Sequence, residues 1–170
     1  MNKPVPMRLA KREISDPDAI KDIIEQCHTV RIGIVDEHGV FIVPMSFGYS
    51  FDTSSDGETS LTLWLHSAGE GRKARCFDAC PEVAFEMDIE DGVIQGSYSC
   101  SYSLAYRSVM GSGVIHKVED SDAKAAGLAH IMDHMAPGAG AEFSNEALER
   151  CSVWRIDASW VSAKQRTAKQ

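Results

Sequence analysis

Apolar residues recur every three to four positions in one early stretch and every two in several later ones, so the chain opens on a helix and continues in strands. Ser15-Asp16-Pro17-Asp18 supplies capping side chains, a proline for the first helical position and early negative charge. Ile20, Ile23, Ile24 and Cys27 follow at i, i+3, i+4 and i+7, the apolar stripe of a helix of about three turns. The period then changes. Val30, Ile32 and Ile34 alternate with Arg31 and Gly33, Asp36 to Gly39 offers a turn, and Val40 to Tyr49 resumes extended character, which predicts a β-hairpin. After a turn-rich stretch from Asp52 to Glu58, Leu61, Leu63 and Leu65 alternate with Thr62 and Trp64 in a third strand ending at His66. Ser67 to Cys80 reads as helical, with Cys76, Phe77 and Cys80 on one side and Pro81 as terminator. Val83, Phe85, Met87 and Ile89 mark a fourth strand.

Gly92 to Ala105, rich in Ser, Tyr and Gly, shows no firm period and is expected to be a loop. Tyr106 to Val118 reads as a long strand in which Gly111 and Gly113 suggest a bulge. Asp120 to Met135 is expected to be a helix with Leu128, Ile131, Met132 and Met135 facing the core, and Pro137 to Ala141 breaks it. A short helix from Ser144 to Arg150 precedes a final strand, Ser152 to Ser162, carrying Trp154, Ile156 and Trp160. Lys164 to Gln170 reads as a frayed polar tail. With no repeat or linker, residues 1–170 read as a single domain. About six strands joined largely by hairpins, with helices at the periphery, argue for an α+β protein built on an antiparallel β-barrel or curled sheet.

Composition narrows the partners. The 170 residues carry 17 Lys+Arg against 25 Asp+Glu, a net charge of −8, which disfavours nucleic acid and anionic membrane surfaces. Apolar runs such as Val40 to Met45 fall far short of the roughly 20 residues that span a bilayer. Met1 to Lys11 has basic residues but no apolar region behind them, so it does not read as a secretory signal, and a cytoplasmic location is expected. Cys27, Cys76, Cys80, Cys100 and Cys151 are irregularly spaced and read mostly as buried thiols in a reducing compartment.

The most informative stretch for chemistry is Leu65-His66-Ser67-Ala68-Gly69-Glu70-Gly71-Arg72-Lys73, where a strand hands over to a helix. Free N–H groups at a helix start, glycines that let backbone approach a ligand and two adjacent cations together make a candidate phosphate cradle, with a solvated first turn as the plain alternative. It is neither a Walker A loop nor a dinucleotide fingerprint. His130 and His134, at i and i+4, have the spacing of a metal pair but lack the Glu of H-E-x-x-H, and no metal is expected. Tyr98, Tyr102 and Tyr106 could cover a planar ligand or fill a dimer interface, and no G-x-S-x-G elbow points to a serine hydrolase.

The segments Arg12-Glu13-Ile14, Ile42-Val43-Pro44-Met45-Ser46-Phe47-Gly48-Tyr49, Leu65 to Lys73, Phe85-Glu86-Met87-Asp88 and Tyr106-Arg107-Ser108-Val109 with Gly111-Ser112-Gly113 occur in an order that resembles one family. The chain is similar to the FMN-binding split-barrel superfamily related to pyridoxamine 5′-phosphate oxidase, in its nitroimidazole-resistance (Nim) branch. The resemblance implies a homodimer with FMN at the interface. It implies that Val43, Pro44, Met45, Ser46 and Phe47 line the isoalloxazine ring, that His66 and Ser67 edge the ring and ribityl chain, that Arg72 and Lys73 bind the 5′-phosphate, and that Arg107 and Ser108 complete the phosphate or ribityl contacts. An Arg fork and a Lys point charge suit a phosphate of nearly two negative charges. His66 is the candidate catalytic residue, because histidine as a residue type can shuttle the protons that nitro-group reduction consumes, with a purely positioning role as the alternative.

The expected function is therefore an FMN-dependent reductase of a small planar acceptor such as a nitroimidazole-type compound. Two alternatives remain beside it. One is oxidation of pyridoxamine or pyridoxine 5′-phosphate, although Cys151 to Gln170 lacks that enzyme's C-terminal R-x-H-type pattern. The other is a non-catalytic flavin- or haem-carrying protein, with His66 or His116 as an axial ligand.

Overall fold

The side chain of Asp16 accepts the Asp18 N–H at 3.2 Å and starts α1 (Pro17–Gln26), whose Ile20, Ile23 and Ile24 are buried. In the computed structural model, which describes residues 6–167, eight strands follow or flank this helix. They are β1 (Glu13–Ile14), β2 (Val30–Asp36), β3 (Gly39–Met45), β4 (Phe47–Thr53), β5 (Thr59–Ser67), β6 (Glu82–Ile94), β7 (Ser103–Val118) and β8 (Ser152–Arg166). Three more helices complete the chain: α2 (Arg72–Ala79), α3 (Ser121–Met135) and α4 (Asn145–Arg150).

All ladders are antiparallel, and the strands lie in the order β3-β2-β6-β7-β8-β5-β4, with β1 added to β8. The two ends of that order, β3 and β4, are consecutive in sequence and joined by Ser46 alone. Since a one-residue link holds their ends within about 7 Å, the sheet must curl until its edges meet. No ladder joins β3 to β4, so the barrel is split along a seam that starts at Ser46. The expected α+β split barrel is the observed fold.

Inside the curl, Phe47, Phe77, Phe85 and Trp154 are among the largest fully buried side chains, and Phe77 meets Trp154 edge-on at 5.1 Å. Outside it, α3 lies against β4 and β5. A Cβ on Gly48 would stand 2.3 Å from the His130 carbonyl carbon, so only glycine admits the helix backbone this close. His134 then ties three elements, with Nδ1 2.9 Å from the Phe47 carbonyl oxygen and Nε2 3.1 Å from that of Glu25.

Several expectations need correction. The six strands are eight, because Val40 to Tyr49 breaks at Ser46 and Glu13–Ile14 pairs with β8. Gly92 to Ala105 is a loop only from residue 95 to 102: β6 runs to Ile94 through a register shift between Glu90 and Gly92, where the bulge interrupts the period-two signal, and β7 starts at Ser103. The helix expected from Ser67 to Cys80 spans only Arg72–Ala79, and Cys80 is exposed. On α3 the buried residues are Gly127 and Ile131, while Leu128, Met132 and Met135 are half-buried. The close approach at Gly48 sets the narrow Gly127 side against the sheet, one residue round from the expected stripe. Lys164 to Arg166, read as frayed tail, pair with β7, whereas residues 168–170 lie outside the described residues. The bulge anticipated around Gly111 and Gly113 falls between Ser112 and Gly113.

Candidate functional site

Phe47 pairs with Leu65 across β4 and β5, and continuing that register by one residue sets Ser46 beside His66. On the other flank His66 pairs with Val153 of β8. Alternation along the strands sends Met45, Phe47 and Leu65 into the core and leaves Pro44, Ser46 and His66 exposed. Val43 is half-buried and packs against the core. The folded chain thus gathers Val43 to Phe47 and His66 to Ser67 at the seam. Ser67 is already engaged: its Oγ accepts the Trp154 indole N–H at 2.9 Å and donates to the Ala68 carbonyl at 2.8 Å.

Beyond Ser67 the chain turns through Gly69 and Gly71 into α2. Gly71 holds φ +111°, a conformation that side chains disfavour, and nothing lies within 4 Å of where its Cβ would be. No side chain caps α2, and no acidic residue stands in its first turn. Its first two residues are instead the cations Arg72 and Lys73. Arg72 grips Asp36 of β2 through Nε at 2.6 Å and Nη2 at 2.8 Å, and its guanidinium lies 3.9 Å above the Phe41 ring. Lys73 is half-buried, has no ion pair among the described residues, and desolvation pushes its ammonium below the usual lysine range.

Arg107 and Ser108 lie elsewhere. Asp36 is three residues beyond Gly33, which pairs with Ala84, whereas Arg107 pairs with Ile89, five residues the other way. At about 3.3 Å per residue the two arginines stand roughly 26 Å apart along the sheet. Arg107 points to the core face, where its Nε and Nη2 each bond Asp91 at 2.9 Å and both Nη atoms approach the Gln26 side chain at 3.4 Å. Ser108 faces outward between Asp88 and Lys164, and its buried hydroxyl has no hydrogen-bond partner. The folded chain therefore brings the seam and the α2 turn together and leaves Arg107 and Ser108 apart from them.

The outward sheet face that carries Ser108 combines the ion-paired Arg31, Glu86 and Asp88 with an exposed apolar patch. Val35 is 57 % exposed, Val40 76 %, Ile42 64 %, and Met110 and Val114 39 % each. Val35 pairs with Val40, and the row continues through Gly33, Ala84 and Ser112, so these side chains share one surface. A groove of about 360 Å³ runs along it, lined in part by Ala84, Ser112 and Val114.

Sequence reasoning missed Asp36 and Phe41 as partners of Arg72. Asp36 read as a turn residue, and no local signal could have revealed a contact 36 positions away. It also missed a cavity of about 470 Å³ between α1, α3 and β4, lined by His28, Tyr49, His130 and His134 among others. The i, i+4 histidines are used structurally there: His130 stacks on Trp64 at 5.6 Å, and His134 holds the two carbonyls.

A curled antiparallel sheet, open at one seam and carrying a polar, uncapped strand-to-helix turn beside that seam, defines the split-barrel class. The model of the pyridoxamine 5′-phosphate oxidase family matches residues 16–165, and the chain belongs to that family. No curated protein matches it in sequence. Among solved structures it is similar to a "putative 5-nitroimidazole antibiotic resistance protein" from Bacteroides thetaiotaomicron, at 29 % identity and TM-score 0.76 over 90 % of this chain and 86 % of that one. It also shares its fold with the flavocytochrome Anf3 of Azotobacter vinelandii, at 19 % identity and TM-score 0.77 over 96 % of this chain and 73 % of that one. An FAD and haem binding protein of Mycobacterium smegmatis has the same fold at 18 % identity and TM-score 0.79, over 94 % and 76 % of the two chains. Among the described residues no helix is long and apolar enough to cross a membrane.

Proposed function

We propose that the chain is a homodimeric, cytoplasmic, FMN-dependent oxidoreductase that reduces a small planar acceptor such as a nitroimidazole-type compound. The observation that carries the reading is the first turn of α2: uncapped N–H groups, Gly71 with open space before it, and a desolvated Lys73 without a counterion. A phosphate dianion supplies what each of these lacks. The family and the 29 % identity to a protein named for nitroimidazole resistance support the same reading.

In this reading Arg72 and Lys73 hold the 5′-phosphate, while Pro44, Ser46 and His66 present their side chains to the ring, with Val43, Met45 and Phe47 setting the strand beneath. Ser67 contributes backbone, since its hydroxyl holds Trp154. The exposed apolar face belongs to the interface between two copies, because patches of this kind on a folded chain mark association surfaces. Ser108 lies on that face between Asp88 and Lys164, so in this reading any contact it makes is with the cofactor of the second copy. Arg107 holds the α1 end of the strand that presents Ser108.

FMN, when bound, supplies the electron transfer. The chain's own part is to orient the ring at the seam and to hold a proton on the exposed His66 imidazole, within reach of an acceptor lying against Ser46. The test is to purify the protein, add FMN, remove the excess and record the visible spectrum. Retained oxidised-flavin absorbance, bleached on reduction and restored by a nitroimidazole, is the expected result. Protein that takes up no FMN overturns the reading, and a Soret band in protein as isolated moves it to haem, which the Mycobacterium smegmatis neighbour is named for binding.

A further inference from the structure

We propose that Asp36, at the end of β2, is a positioning residue that holds the Arg72 guanidinium ready for the cofactor phosphate. The inference rests on the FMN reading above and concerns a residue that contacts the phosphate only through Arg72.

The geometry has three parts. Asp36 takes Nε–H and one Nη2–H of Arg72, at 2.6 and 2.8 Å, which leaves three of the five guanidinium N–H groups for an incoming anion. The Phe41 ring, 3.9 Å below, fixes the plane of the fork so that those three donors point in set directions. Asp36 is itself held, since its Oδ1 accepts the His38 N–H at 2.9 Å within the hairpin turn and the Cys76 thiol approaches Oδ2 at 3.7 Å. The anchored end is covered and the presenting end is open: the Asp36 side chain is 15 % exposed and that of Arg72 45 %.

An isolated surface ion pair contributes little to stability, because two long side chains must be ordered to form it. Here the ordering serves a different end. Arg72 stands at the first position of a helix, where the backbone N–H groups already favour an anion. A free arginine there would sample many rotamers and lose them on binding, whereas one fixed by Asp36 and Phe41 has met that entropic cost before the ligand arrives. Arg72 in turn keeps the Asp36 carboxyl well below the usual carboxylate range, so the pair persists throughout the neutral range.

The experiment compares binding of FMN with that of riboflavin, which lacks the phosphate, to wild type, Asp36→Asn, Arg72→Gln and the double variant. Wild type should prefer FMN. Asp36→Asn should weaken FMN roughly tenfold while riboflavin binds as before, and the double variant should bind FMN no worse than Arg72→Gln alone. A loss confined to FMN and absent in the Arg72→Gln background is a readout that general destabilisation does not produce. If wild type prefers FMN and Asp36→Asn binds it equally or more tightly, or weakens both flavins alike, the positioning role is overturned and the FMN reading stands. If wild type binds riboflavin as tightly as FMN, the phosphate cradle and this inference fall together.

Discussion

Helices α1 and α2 both bury an apolar side against the barrel, yet their first turns are built on opposite rules. In α1, Asp16 caps the backbone, Pro17 occupies the first position and Asp18 adds negative charge near the positive end of the dipole. Helices α3 and α4 begin in the same way, with Asp120 and Ser144 accepting backbone N–H groups and with Asp122 and Glu146 in their first turns. Helix α2 has a glycine where the cap belongs and two cations where acids are favoured. Its stability comes from the other side, where Ala74, Cys76 and Phe77 are buried. Three helix starts satisfy themselves and a fourth does not, and the unsatisfied one is where the proposed phosphate site falls, since local rules tend to be broken where function needs them broken.

The strongest way to break that contrast is to neutralise the α2 start. Arg72→Gln with Lys73→Gln should weaken FMN binding roughly a hundredfold or more, read by fluorescence titration, since two charge-assisted contacts to one phosphate are removed. The melting temperature without cofactor should fall only slightly, because the lost Arg72–Asp36 pair is partly exposed and is offset by taking positive charge from the positive end of a helix dipole. Unchanged affinity would mean that the turn is an ordinary solvated helix start.

How far the contrast could be read from sequence differs along the chain. The α1 start was legible because its signal is local: cap, proline, acid and the Ile20, Ile23, Ile24 stripe lie within a dozen residues. The α2 turn was legible as a chemical oddity, and the strand before it as Leu61, Leu63 and Leu65. The closure of the barrel was not, because it depends on β3 and β4 lying at opposite ends of the strand order, which no window of sequence encodes. The α3 face was misplaced because the pattern counts apolar side chains, whereas the helix is seated through the absence of side chains at Gly48 and Gly127. Asp36 escaped for the same kind of reason, its role being set by a partner on another element. For Arg107 the sequence offered only the family motif, and its bonds to Asp91 and Gln26 become visible in the fold.

The mirror-image variant sharpens the comparison with a smaller effect. Asp16→Ala removes the cap of α1 and should cost about 1 kcal/mol of unfolding free energy in urea titration. FMN affinity should not move, since Asp16 bonds only the backbone of its own helix and touches no residue of the α2 turn. The two variants together should therefore show opposite patterns, one losing ligand with little change in stability and the other losing stability without ligand. A cap variant that also lost FMN would tie the two helix starts together and remove the distinction.

The smallest effect concerns the charges at the α1 end, where Arg107 and Asp91 are bonded to each other. Arg107 holds the Asp91 carboxyl below the usual carboxylate range, chiefly by hydrogen bonding to it. The folded chain therefore releases this proton more readily than the unfolded one. Its contribution to stability is fully present above about pH 4, near the unfolded carboxylate value, and is lost as pH falls through the lowered folded value. Melting temperatures measured from neutral pH into acid should fall more steeply below about pH 4 in wild type than in Arg107→Gln, and the two curves should converge at the acid end. Throughout the neutral range the difference should be small, because the pair is partly exposed and screened. Parallel curves would show that the bonds to Asp91 add nothing to stability, leaving the α1 and α2 regions distinguished by their helix caps alone.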